Sequence, residues 1–245
     1  MNNNDIVVKT ENLVKVLSNV EVIKGCNMTV RQGSIYGFLG ANGAGKTTIF
    51  KILTGLLTPS AGKVEVLGMD VTVNRDKILR NIGSIIEVPI FYEHLSAEEN
   101  LSLHLAYLNR EEVDISKALE KVGLANTGSQ PVSKFSLGMR QRLGIARALV
   151  HQPKLLILDE PINGLDPSGI RDMRKLFLDL VENYGMTILI SSHILSEIEQ
   201  IADTVSIIVD GVVKGEATLS DIKKQYPSGI EEFYFEMTNR GVKIV

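Results

Sequence analysis

Tryptophan is missing from this chain of 245 residues, and cysteine occurs once, at Cys26. A single thiol excludes an internal disulfide framework, which fits a reducing compartment. Strong charge of either sign is also lacking. With 26 Lys and Arg against 29 Asp and Glu the formal net charge is −3, so no broad field points to nucleic acid as a partner. No run approaches the roughly 20 consecutive apolar residues that a membrane span needs. The opening MNNND is polar, which predicts no secretory leader. Internal repeats and low-complexity stretches are absent. What is left is a chain with 44% hydrophobic residues, enough for a sizeable core in one domain with subdivisions.

The first informative stretch is the loop Gly40-Ala41-Asn42-Gly43-Ala44-Gly45-Lys46-Thr47-Thr48, which matches G-x-x-x-x-G-K-[ST]. Its glycines let backbone N–H groups turn toward phosphate oxygens, and a following helix aims its positive dipole end at the same anion. The preceding SIYGFLG reads as a buried strand. The following Ile49, Ile52, Leu53 and Leu56 have helical spacing, closed by Pro59. In that context Lys46 reaches the β- and γ-phosphates of a nucleoside triphosphate and the Thr47 hydroxyl ligates Mg²⁺. The competing reading is a glycine-rich turn that binds nothing.

Leu155 to Glu160 is an apolar run ending in two carboxylates, the pattern of a buried parallel strand whose carboxyl end opens on a ligand site. Asp159 would hold Mg²⁺, directly or through water. Glu160 would point to the γ-phosphate and polarise the attacking water as general base. Otherwise the pair is a solvated strand end beside a helix start.

With Phe135-Ser136-Leu137-Gly138-Met139 lying between these two segments, the chain resembles the ATP-binding subunit of an ABC transporter, from about Val8 to Gly215. The resemblance implies an α/β ABC ATPase fold: a P-loop NTPase core with a mixed sheet, an antiparallel β edge and an inserted helical subdomain. ATP and Mg²⁺ are the implied cofactors. In the family the segment at Ser136 completes the ATP site of a second subunit. Its chemistry is readable here, because Ser136 can cap a helix whose free N–H groups face an anion and Gly138 permits close approach. Met139 stands where the family usually has glutamine and removes one side-chain hydrogen bonder. Gly164-Leu165-Asp166 resembles the loop that crosses the dimer interface in relatives. His193, after Ser191-Ser192, resembles the histidine that contacts the γ-phosphate. The other histidines, His94, His104 and His151, have no motif around them and read as surface or hydrogen-bonded residues.

Two departures carry further information. Relatives place a glutamine near Mg²⁺ and the attacking water, yet there is no Gln between Gln32 and Gln130. Glu87 takes that place, as a stronger ligand for a hard cation that adds like-charge repulsion near the γ-phosphate. This glutamate resembles the subgroup that exports lantibiotics or bacitracin; the competing reading is an acid facing solvent. The second departure is at the base. No Phe, Tyr or Trp precedes Tyr36, and Leu17 falls where relatives stack an aromatic on adenine, which predicts weak discrimination between ATP and GTP.

The organisation expected is one nucleotide-binding domain over 1–245. Strand-like runs extend to about 85, a helical insert spans about 89–150, and a tail of open role runs from about 218 to 245. Phe233-Tyr234-Phe235 in that tail reads as a strand or a packing patch. Phe91, Tyr92 and His94 lie near the joint where, in the family, a helix of the membrane protein docks; the competing reading is that these aromatics are core. The implied partners are permease subunits on separate chains and a second copy in an ATP-dependent head-to-tail homodimer. The implied place is the cytoplasmic face of the membrane. A soluble ABC-type ATPase in assembly or repair would share every motif. A P-loop kinase would have no reason for FSLGMRQ or SSH.

Overall fold

The computed structural model describes residues 6–110 and 112–239; the polar opening and the last residues of the tail fall outside that range. In chain order the strands are β1 (Ile6–Leu17), β2 (Val20–Arg31), β3 (Ile35–Leu39), β4 (Ala61–Val66), β5 (Met69–Asp70), β6 (Ile82–Ile85), β7 (Leu155–Asp159), β8 (Thr187–Ser192), β9 (Thr204–Val209) and β10 (Val212–Thr218). The helices are α1 (Lys46–Leu53), α2 (Arg75–Leu79), α3 (Ala97–Tyr107), α4 (Ile115–Lys121), α5 (Leu137–Leu149), α6 (Pro167–Glu182), α7 (Leu195–Ile198), α8 (Leu219–Gln225) and α9 (Ile230–Asn239).

β3, β7 and β8 are buried along their whole length, as strands that are apolar on both faces must be. They lie in a sheet of order β10-β9-β3-β8-β7-β6 that is parallel except for β10. The period of two sends their side chains to separate cores. Tyr36, Phe38, Leu155, Ile157 and Leu189 pack on α1 and on a second, antiparallel sheet of order β2-β1-β4-β5. Ile35, Leu39, Leu156, Leu158, Ile188 and Ile190 pack on the opposite side, against the helices between β6 and β7. That segment contains α3, α4 and α5. Ser96 starts α3 through a capping box with Glu99, and Leu101 and Leu105 are its buried face.

α1 stops earlier than Pro59 predicts. Gly55 adopts φ +68, Gly55 N–H donates to Ile52 O and Leu56 N–H to Lys51 O, the paired bonds of a left-handed helix end. Leu56 therefore lies outside the helix and is exposed. Phe233-Tyr234-Phe235 lies in a helix and not in a strand, and as a packing patch it sets Phe233 and Tyr234 against the core. Gly229 turns the chain at φ +68, Glu231 and Glu232 occupy the first turn of α9, and Phe233 and Met237, one turn apart, close over Gly215 of β10. Phe233 also leans on Tyr226, with ring centroids 5.4 Å apart, while Phe235 stays exposed.

The histidines without motifs divide. His94 is exposed, but His151 is buried and His104 packs edge-on against it with ring centroids 5.8 Å apart. His151 Nε2 bonds Ile82 O at 2.9 Å, whereas His151 Nδ1 and His104 Nε2 have no partner. Burial, then the neighbouring His151 and Arg147, push His104 down to about 4. The pair is a neutral packing element at the seam of insert and core.

Candidate functional site

The loop from Gly40 to Thr48 sits where β3 runs out of the sheet into α1. Its glycines are demanded by the surrounding chain. A Cβ on Gly40 would lie 2.6 Å from Ile208 O, and Gly45, at φ +110, would meet Ile23 Cδ1 at 2.6 Å. A cavity of about 170 Å³ opens among Asn42, Gly43, Gly45, Lys46, Thr47, Thr48 and Glu160. A larger cleft of about 840 Å³, between α4 and the turn at Tyr184, carries none of these groups.

Lys46 is buried, and its Nζ donates to Gly40 O at 2.6 Å and Ala41 O at 3.2 Å. The same Nζ lies 3.2 Å from Glu160 Oε1 as an ion pair that lacks hydrogen-bond alignment, which leaves that buried oxygen open to another partner. Thr47 Oγ1 donates to Asp159 Oδ2 at 2.6 Å. At the end of β7, Glu160 takes a left-handed φ of +49, a conformation costly for a residue with a Cβ. The His193 Nδ1–H donates to Glu160 Oε2 across 2.8 Å, carried in from the turn after β8. Lys46, Thr47, Asp159, Glu160 and His193 therefore form one connected network from three motifs far apart in the chain.

Ser191, which the motifs do not single out, belongs to the same network. It donates to Asp159 Oδ1 at 2.5 Å and accepts from the Glu160 N–H at 2.9 Å. The register of β7 on β8 sets Asp159 beside Ser191, and that pairing is the information the sequence does not carry.

The remaining predicted residues stand apart from this network. Glu87 follows β6 with φ +64, is exposed, and lies 2.5 Å from Lys51 Nζ, one turn beyond Thr47 on α1. Leu17 ends β1 half-exposed with Val16 and Val20, outside the lining of the cavity. Ser136 caps α5, its Oγ accepting from Met139 N–H at 3.2 Å, and Met139 packs on the helical core. Gly138 is open, since the nearest atom to a Cβ there would be Leu165 Cδ2 at 3.6 Å. Asp166 caps α6 by accepting the Gly169 N–H at 3.1 Å.

A family model described as ABC transporter matches residues 23–163. An uncharacterized ABC transporter ATP-binding protein, YcbN of Bacillus subtilis, is 51% identical over 92% of this chain and 74% of its own length. The bacitracin transport ATP-binding protein BcrA of Bacillus licheniformis is 47% identical, over 98% of this chain and 78% of its own. The lantibiotic transport ATP-binding protein SrtF of Streptococcus pyogenes is also 47% identical, over 84% and 89%. A solved ATP-binding subunit of an ABC transporter superposes with a TM-score of 0.84 at 30% identity, over 95% of this chain and 99% of that one. With the phosphate loop, the paired carboxylates and the histidine joined in one site, and relatives this close along most of its length, the chain belongs to the ABC transporter family as an ATP-binding subunit that hydrolyses ATP.

Proposed function

We propose that this chain is the motor of an exporter that expels a peptide antibiotic of lantibiotic or bacitracin type, for immunity or resistance. The observation that carries the mechanistic part is Glu160, whose carboxylate is bonded to His193 on one oxygen and faces Lys46 with the other. Backbone N–H groups of Ala41 to Thr48 and the Lys46 ammonium grip the triphosphate. Thr47 and Asp159 supply hard oxygens 2.6 Å apart, a donor set that fits Mg²⁺, and that cation would offset charge on the β- and γ-phosphates. Glu160 orients and deprotonates the attacking water, and His193 holds the carboxylate while reading the terminal phosphate. Glu87 is held by Lys51, one turn along α1 from Thr47, and would act on the cation or the γ-phosphate from there. Leu17 gives the base an aliphatic surface.

Ser136, Gly138 and Met139 would close the nucleotide site of a second copy, with Asp166 near the seam, so that two bound ATP hold a head-to-tail homodimer together. Only nucleotide with its γ-phosphate favours the closed form, which is how hydrolysis would drive a conformational cycle. The permease partner would dock on Val88, Ile90, Tyr92 and Tyr107, a group of exposed apolar side chains at the joint of insert and core. Phe91, beside them, is buried under the Arg147 guanidinium at 4.9 Å and packs inside the joint. Among the described residues no helix is long and apolar enough to cross a membrane. In this reading other chains would supply the channel and the motor would work on its cytoplasmic face.

The test is resistance. Sensitive cells producing this chain with the permease genes beside it should survive higher concentrations of bacitracin or a lantibiotic, and Glu160→Gln should remove the gain. Resistance untouched by Glu160→Gln, or none toward either class of peptide, would overturn the export reading.

A further inference from the structure

β8 is apolar from Ile188 to Ile190 and then ends in two completely buried hydroxyls, Ser191 and Ser192. A hydroxyl taken from water into an apolar interior must be hydrogen-bonded to be tolerated, so the bonds each one makes are diagnostic. Ser192 Oγ accepts the Ile194 N–H at 2.9 Å, a local turn after the strand. Ser206, equally buried in β9, faces the Tyr36 hydroxyl and makes no bond to Asp159 or Glu160. Ser191 differs from both, because its two bonds go to Asp159 and to Glu160.

These bonds have direction. The proton of Ser191 is committed to Asp159 Oδ1, while Thr47 occupies Oδ2. The two oxygens of the carboxylate are thereby made unlike: Oδ1 is tied into the sheet and Oδ2 faces the phosphate-loop helix. The other bond holds the peptide N–H of Glu160 in a left-handed conformation that its own Cβ disfavours. The peptide plane sets where that Cβ points, and from there the carboxylate reaches Lys46 and His193. An apolar residue at 191 would fill the same space and leave Asp159 Oδ1 and the Glu160 N–H without this partner.

We infer that Ser191 is a positioning residue for ATP hydrolysis, which selects the Asp159 oxygen offered to the cation and aims Glu160 at the water. This rests on the site assignment proposed above, and Ser191 acts through its two bonded partners, Asp159 and Glu160.

The test is Ser191→Ala in the full chain, with Ser206→Ala as a control for loss of a buried hydroxyl elsewhere. Partners that orient a metal ligand typically change affinity or activity by about 10–100-fold when removed. Ser191→Ala should lower kcat by that order. It should also raise, by a similar factor, the Mg²⁺ concentration that half-saturates binding of a fluorescent ATP analogue, a measurement made without turnover. Ser206→Ala should move neither. If Ser191→Ala only lowers the melting temperature and leaves kcat and the Mg²⁺ midpoint at parental values, Ser191 is structural and the inference fails. Should the alanine variant not fold, Ser191→Cys makes the same test, since a thiol fills the site but bonds weakly. Asp159→Asn and Glu160→Gln, assayed alongside, separate the two layers. If they too keep full turnover the site assignment is wrong, and if they abolish it while Ser191→Ala does not, only the role of Ser191 is wrong.

Discussion

The phosphate loop and the signature segment both carry glycine and both precede a helix, but the chain treats them differently. At the loop the glycines are forced from within, because Gly40 and Gly45 leave no room for a Cβ beside Ile208 and Ile23. Lys46 and Thr47 there both have partners in the same chain. At the signature no described residue crowds a Cβ at Gly138, Leu137 is half-exposed, and the Ser136 hydroxyl bonds its own helix. One half of the proposed site is completed by folding. The other, in the proposed scheme, is completed by a second copy.

Glu160→Gln gives the largest expected effect on this comparison. It removes the base while leaving the loop intact, so hydrolysis should fall by about 10²–10⁴-fold, the usual contribution of a general base, with ATP binding retained. Size-exclusion chromatography in saturating ATP should then show a persistent dimer. A monomer under those conditions would remove the reason for treating the signature as half of a site.

Ser136→Ala combined with Gly138→Ala sharpens the contrast. Alone, the double variant should fold normally, since neither change meets a clash in the monomer, and should lose roughly tenfold or more in turnover by analogy with removed anion-hole donors. Mixed with Glu160→Gln it should regain activity, because one composite site would then hold an intact loop from one copy and an intact signature from the other. No recovery on mixing would mean that each signature serves its own chain. Gly40→Ala, by contrast, should lower the melting temperature without any partner present, in the overpacking range of about 1–3 kcal/mol.

The ion pair Lys51–Glu87 should give a smaller change. Exposed pairs contribute roughly 0–1 kcal/mol to folding, so Glu87→Gln should leave the melting curve and ATP affinity alone. With less repulsion against the γ-phosphate, product release should slow and kcat fall several-fold. A phosphate-release assay giving the parental rate would make Glu87 a solvent-facing acid.

The parts of this architecture that could be read without coordinates are those where short-range chemistry is decisive. The phosphate loop needs glycine at fixed spacing, β7 needs an apolar run ending in acid, and α3 announces itself through Ser96 and Glu99. What escaped depends on register and distance. Ser191 matters because β7 and β8 align it with Asp159, and a serine inside an apolar strand before SH is the faint signal that could have marked it. Lys51 matters because Glu87 arrives beside it from 36 residues away. α9 was obscured by three adjacent aromatics, whose strand propensity is overridden by packing of Phe233 and Met237 one helical turn apart on β10. The early end of α1 was available in Gly55, which is a stronger stop than Pro59.

The smallest effect expected concerns the base. Leu17, Val16 and Val20 put aliphatic carbon at the tip of the β1–β2 hairpin, half-exposed and without a ring. Stacking of a base on an aromatic is worth roughly 1–3 kcal/mol, and its loss lowers affinity for adenine and guanine alike. An aliphatic surface has no donor or acceptor with which to tell the two edges apart, so the ratio of kcat/KM for ATP over GTP should stay within about tenfold, less than 1.4 kcal/mol of discrimination. Leu17→Tyr should tighten binding of both nucleotides without changing that ratio much. A strong preference for ATP in the parent chain would place the base against a polar group elsewhere, and the hairpin tip would cease to be part of the site.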